Sequence, residues 1–409
     1  MIVKNGKMNN RMIDAPLRDE RLWNSEYWKV MISNFLLFFA FYLLTPLLPL
    51  YLDRQFAADK DTIGIVLSGY VIATFLVRPF SGFFVDSFNR KTVLVICFLS
   101  FFICFTGYIG AGTLLMFAIV RTLHGIPFGA ATVANSTVAI DVLPASRRNE
   151  GIGYYGLSNN LAMAVAPSAG LYIYSATDDF QLLFWLSLVL AFLGFICSTT
   201  VKIPKRELKK NKPKLDLDHF FLSKAWLMAI NVCLFGLCWG MLSNYVALYG
   251  QKELGITDGT GIFFALLSLG LVLSRLSGHN ALRAGRITQS CSIGVALSLV
   301  GFVTFALAIN EWTYYLSALL IGLGNGRMYP AFLNMFIKVA RHDQRGTANS
   351  SILISWDLGM GIGILVGGVI AEYVSFEAAF WFAALVQASG TALFLLFTRL
   401  FYMKRRIEE

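Results

Sequence analysis

The chain has 409 residues, 56% hydrophobic and only 14% charged, with a formal net charge of +10. A soluble domain is about 25% charged, so this composition excludes an ordinary soluble globular protein. The basic excess follows membrane topology, as the elements below show, and leaves no case for nucleic-acid binding.

In chain order, residues 1–26 form a polar segment with no short apolar h-region, so no cleavable signal peptide is expected. Long uncharged runs follow: Val30 to Leu52 has no charge across 23 positions and Thr92 to Val120 none across 29. A helical crossing needs about 20 apolar residues, so the predicted spans are 27–52, 62–85, 92–110, 113–138, 150–174, 180–201, 223–249, 259–278, 287–309, 313–338, 347–371 and 377–400. Barrel strands would alternate polarity over about 10 residues, and these runs do not. The expected fold is an all-α membrane protein of twelve transmembrane helices in two six-helix bundles, residues 27–201 and 223–400. A cytoplasmic linker at 202–222 joins the bundles and a tail occupies 401–409. The six cysteines all fall in spans without metal-ligand spacing and read as small buried hydrophobes; no cofactor or metal is expected.

Lys and Arg placement sets the orientation. Of the 34, 27 lie in segments on the side of the termini, and 3 (Arg54, Lys60, Lys252) on the other. Both termini are therefore expected in the cytoplasm, in an inner membrane, and the chain is expected to act as a monomer. Four arginines remain inside spans: Arg78, Arg121, Arg275 and Arg327. Arg78 and Arg275 lie near span ends and read as snorkelling residues.

The two halves resemble each other. Gly82 aligns with Gly278 at an offset of 196, and Ser158 to Met163 aligns with Ser355 to Met360 at 197. Duplicated six-span halves suggest a transporter with its solute site between them near the midplane.

The loop after the second span reads Gly82-Phe-Phe-Val-Asp86-Ser-Phe-Asn89-Arg90-Lys91. It resembles the signature loop of the major facilitator superfamily, with Asn89 in place of the usual glycine; Asn tolerates the left-handed conformation such a turn uses. Gly82, Asp86, Arg90 and Lys91 are then the expected cytoplasmic gate. Arg121-x-x-x-Gly125-x-x-x-Gly129 resembles the family's fourth-helix arginine motif. The basic stretches at Arg147/Arg148 and Arg341/Arg345 resemble the loops entering its fifth and eleventh helices. Ala162-x-x-x-Ala166-Pro167-x-x-Gly170 resembles the fifth-helix packing motif of its proton antiporters, with alanines where that motif has glycines. The resemblance covers about residues 27–402. It implies alternating access driven by a gradient, closest to the drug and metabolite exporters.

Ionisable residues inside a membrane are functional candidates by default. Asp357 is the lone carboxylate near mid-membrane, and Arg327 on the preceding span is its expected partner. The pair reads either as the proton-coupling site or as a static bridge. Arg121, His124, Asn160, Tyr154, Asn244 and Trp356 are candidates for the solute cavity. Two central arginines against one aspartate make that cavity net positive and favour anionic or amphipathic solutes. Proton-coupled export of such a small organic solute is the leading expectation, proton-coupled uptake the alternative, and a non-transporting receptor the third. No metal cluster, nucleophile–base pattern or phosphate-binding loop points to an enzyme.

Overall fold

The computed structural model describes residues 21–144, 147–203, 221–256, 260–283, 286–340 and 345–406. Most of the 202–222 linker and the basic stretch at 341–344 lie outside the described residues. The described elements are helical: α1 (Ser25–Leu44), α2 (Leu48–Phe56), α3 (Lys60–Ser87), α4 (Arg90–Ile109), α5 (Leu114–Val142), α6 (Arg148–Thr177) and α7 (Phe180–Thr200) form the first half. The second half holds α8 (Trp226–Lys252), α9 (Thr260–Arg283), α10 (Ile287–Ala306), α11 (Glu311–Val339), α12 (Arg345–Tyr373), α13 (Phe376–Leu393) and α14 (Arg399–Arg405), the last two joined by a π turn. By length and composition, nine described helices suffice to cross a membrane. The helices α6, α9 and α11 are of similar length but more polar along part of their course.

Local sequence explains the boundaries. Pro46 and Pro49 lack the N–H that a continuous helix would need, so the first span breaks into α1 and α2. Side chains of Asn24, Asn89, Thr113, Asp179, Asn310 and Ser375 accept hydrogen bonds from the first turns of α1, α4, α5, α7, α11 and α13. Asn89 does this at φ −64° and ψ 115°, so it serves as a helix N-cap and not, as expected, as a left-handed turn residue.

The two halves pack alike. The α1 helix lies on α6 and α7 as α8 lies on α12 and α13, and α3 on α5 as α9 on α11. A Cβ on Gly125 would meet the Tyr70 carbonyl oxygen at 2.1 Å, and one on Gly322 the Leu267 oxygen at 2.0 Å. Gly129 on Thr74 and Gly326 on Leu271 repeat the pattern at 3.0 and 2.8 Å, always at an offset of 197. The fold is thus an internal duplication.

The halves meet chiefly where α3 packs on α12 and α6 on α9. Down the α3–α12 seam the chains run antiparallel. A Cβ on Gly368 would sit 2.3 Å from the Lys60 oxygen, one on Gly64 3.0 Å from the Ile364 oxygen, and one on Gly361 3.6 Å from the Val71 side chain. The outward faces expose Leu115, Leu385, Leu396 and Phe397, an apolar belt suited to lipid.

Candidate functional site

A narrow chamber lies between the halves, with only about 30 Å³ of free volume, room for about two water molecules. The first half contributes Tyr42 and Thr45 at the α1 break, Arg121 from α5 and Pro167 from α6; the second contributes Trp239, Asn244 and Met360. Pro46 lies in the break between α1 and α2 and Pro167 within α6, and both line the chamber.

Arg121 is the one charged residue on the chamber wall among the described residues, and it is only 4% exposed. Its guanidinium carbon lies 4.0 Å from the Tyr70 ring centroid, and Nη1 donates to the Tyr108 hydroxyl at 3.3 Å. Its Nε has no hydrogen-bond partner, and no described carboxylate pairs with it. His124 sits behind this wall rather than in it. It shares a 2.9 Å hydrogen bond through Nδ1 with Tyr108, and its ring packs 4.6 and 4.8 Å from Phe101 and Phe105. Burial of a lone charge is expensive. The stacked Tyr70 ring supplies part of the compensation.

The second charged group is a pair across the halves. Arg78 Nε donates to Asp357 Oδ2 at 2.5 Å, with each residue 7% exposed. This corrects two expectations. Arg78 does not snorkel to the surface, and the partner of Asp357 is Arg78 of the opposite half, not Arg327. Sequence proximity favoured the neighbouring span. The antiparallel seam brings α3 to Asp357 instead, because α12 turns Asp357 toward α3 and away from α11. Arg327 lies partly buried on α11. Met360, one turn along α12 from Asp357, and Val71, two turns along α3 from Arg78, line the chamber, so the pair lies next to it.

The remaining candidates separate. Asn244 lines the chamber, its Nδ2 donating to the Gly240 oxygen at 3.0 Å. Trp356 packs edge-on to Tyr329 at 5.2 Å and against Trp239 at 6.3 Å, one layer behind the wall. Tyr154 is not a cavity residue. It is 37% exposed and packs on Trp23 at 4.9 Å, because its face of α6 points outward. The side chain of Asn160 lies outside the described residues. Ala162 and Ala166 are fully buried, and a Cβ on Gly170 would lie 2.2 Å from the Leu43 oxygen, so this motif packs α6 on α1 within one half. Among the gate residues, the side chains of Gly82 and Asp86 lie outside the described residues. Arg90 pairs with Asp141. Lys91 Nζ donates to the carbonyl oxygens of Ser198, Thr199 and Val201 at 2.8, 2.6 and 2.6 Å, and so caps the end of α7.

At the end opposite the termini the halves are tied by polar contacts. Lys60 N donates to Glu372 at 3.0 Å, Lys60 Nζ to the Ala371 oxygen at 2.9 Å, and Lys252 pairs with Asp53 at 2.6 Å. Sequence reasoning missed these, since each joins residues far apart in the chain.

Comparison with known proteins agrees with this geometry. The family model described as Major Facilitator Superfamily matches residues 30–357 and, overlapping, 276–408. The chain is 22% identical over 391 residues to the MFS-type transporter YhhS of Escherichia coli, covering 93% of both chains. It is 23% identical over 368 residues to the staphylopine export protein of Staphylococcus aureus, covering 86% of this chain and 90% of that one. Among solved structures, the human organic anion transporter MFSD10 superposes with a TM-score of 0.72 at 16% identity, covering 91% of this chain and 100% of the other. The nucleoside transporter NupG superposes at 0.71, also at 16% identity, covering 91% and 98%. At these identities the likeness to solved structures is one of fold.

Proposed function

The chain belongs to the Major Facilitator Superfamily, and on that premise we propose that this membrane transporter is a proton-coupled exporter of small organic anions. The single observation that carries the solute class is Arg121: a buried guanidinium on the wall of the central chamber, with no described carboxylate beside it. An anionic solute supplies the missing counter-charge; a cationic one meets repulsion in a low-dielectric setting. Coupling falls to Asp357. It is buried, paired across the halves and one helical turn from Met360 on the chamber wall. A rocking motion that separates α3 from α12 removes the arginine that favours its ionised form, so proton affinity changes with conformation. The likeness to an export protein and the fifth-helix resemblance support the outward direction.

The test is ligand stabilisation of the purified full chain. Organic sulfonates and carboxylates are expected to raise its unfolding temperature, by mass action on the bound state; matched amines are not. Arg121→Gln should abolish that shift while leaving the ligand-free protein as stable as before or more so, because it removes an uncompensated buried charge. Stabilisation by permanent cations that survives Arg121→Gln would overturn the anion reading. In proteoliposomes, an imposed pH gradient should drive accumulation in the parent and fail to do so in Asp357→Asn.

A further inference from the structure

The chamber has two unlike walls, and the internal duplication shows how unlike they are. At the structural offset of 197, Arg121 corresponds to Ala318, His124 to Ile321, Tyr70 to Leu267 and Tyr108 to Phe305. The whole cationic and hydroxyl-bearing cluster of the first half is thus replaced by apolar side chains in the second. The second-half wall consists of Trp239, Phe264, Leu267, Met360 and Ile364, with Ser243 and Asn244 as its polar members. Those two are turned onto their own helix: Ser243 Oγ donates to the Trp239 oxygen at 2.8 Å, and Asn244 Nδ2 to the Gly240 oxygen. The first-half wall therefore offers an incompletely satisfied guanidinium set among apolar side chains such as Phe41, Leu67, Val71 and Met163, and the second-half wall offers apolar surface with no charge.

We infer that the solute is an amphipathic monoanion that spans the two halves, its anionic group on Arg121 and its apolar body on the Trp239–Met360 wall. This rests on the anion reading above and adds a requirement to it. A ligand shifts a conformational equilibrium only through contacts that differ between the states. A small anion without a body touches the first half alone, so it occupies the site without drawing the halves together. It inhibits transport and is not itself carried. An anion with a body enters only when the walls part beyond the two-water chamber of this state; it then bridges them, favours closure around itself and is carried. One guanidinium on the described chamber wall matches one negative charge; a second charge on the body would be stranded against apolar surface.

The experiment uses the full chain in detergent and in proteoliposomes, with three sulfonates that stay ionised at all working pH values and one uncharged control. The sulfonates are methanesulfonate, naphthalene-2-sulfonate and naphthalene-2,6-disulfonate, and the control is naphthalene-2-sulfonamide. Naphthalene-2-sulfonate is expected to bind at least about tenfold more tightly than methanesulfonate, from burial of its apolar rings, and to be carried. Methanesulfonate is expected to inhibit that uptake competitively without being carried, and the disulfonate to bind more weakly than the monosulfonate. Trp239→Ser should erase most of the difference between the two monosulfonates, and Arg121→Gln should erase the preference for sulfonate over sulfonamide. Ile364→Ser provides the same readout if Trp239→Ser fails to fold. Tight sulfonate binding that is indifferent to the body, or methanesulfonate carried as fast as the naphthyl compound, would overturn the two-wall site and leave the anion reading standing. Absence of any sulfonate binding would overturn both.

Discussion

Asp357 and Arg78 show how much one residue's partner matters. Each is buried, and they meet at 2.5 Å from opposite halves. Removing one member of a buried pair leaves an uncompensated charge, at a cost of about 3–5 kcal/mol, whereas removing both is often near neutral. Asp357→Asn should therefore lower the unfolding temperature in detergent, and adding Arg78→Gln should restore it; adding Arg327→Gln should not. Rescue by Arg327→Gln in place of Arg78→Gln would place the partner on the neighbouring span after all. The sequence identified Asp357 as the lone central carboxylate, since charge within an apolar run is a local property. It could not identify Arg78, because the choice between two arginines depends on how α12 is rotated about its axis.

At the scale of the element, Gly359 and Gly363 of α12 face α8 of their own half, whereas Gly361 and Gly368 face α3 across the seam. A Cβ on Gly359 would lie 1.9 Å from the Cys233 oxygen and one on Gly363 2.1 Å from the Leu237 oxygen, both on α8. Backbone cannot yield as a flexible side chain does, so helix separation is the only relief. Gly363→Val is expected to destabilise by about 1–3 kcal/mol or more, measured as loss of the folded fraction in a thermal scan. Gly156→Ala, on α6 with open space around its Cβ position, is expected to be neutral or slightly stabilising, since alanine is the better helix former by about 1 kcal/mol. Equal losses at both positions would show that crowding is not the cause. The spacing of four was legible in the sequence as a packing stripe. Which neighbour it packs against was not, because α5, α8 and α11 are all apolar enough to receive it.

For the whole molecule, the described state is tied at the end opposite the termini by Lys60–Glu372, Lys252–Asp53 and the hydrogen bond from Tyr373 to Asp61. All three cross between the halves, so they exist only while that end is closed and bias the alternating-access equilibrium toward this state. The partly exposed pairs contribute little each, about 0–1 kcal/mol, but they act together on one equilibrium. Asp53→Asn with Glu372→Gln should raise the opening of that end. A cysteine placed at Gly261, which lines the 240 Å³ cavity there, should then react several-fold faster with a membrane-impermeant maleimide. An unchanged labelling rate would remove these contacts from the gate.

The sequence by itself determined that the chain crosses a membrane many times, that it is duplicated, and that it belongs with the major facilitators. It also singled out Arg121 and Asp357 as charges within apolar runs, and both are buried. These conclusions rest on span length and on the cost of charge in hydrocarbon, which neighbouring residues alone decide. Only the tertiary structure decided that Asp357 pairs with Arg78, that Asn244 faces the chamber while Tyr154 faces outward, and that the one charge on the described chamber wall comes from the first half. The physical reason is that a helix surrounded by lipid on one side and apolar packing on the other is hydrophobic all round. Its sequence carries little record of which face turns inward, and that rotation is set by the helices it meets.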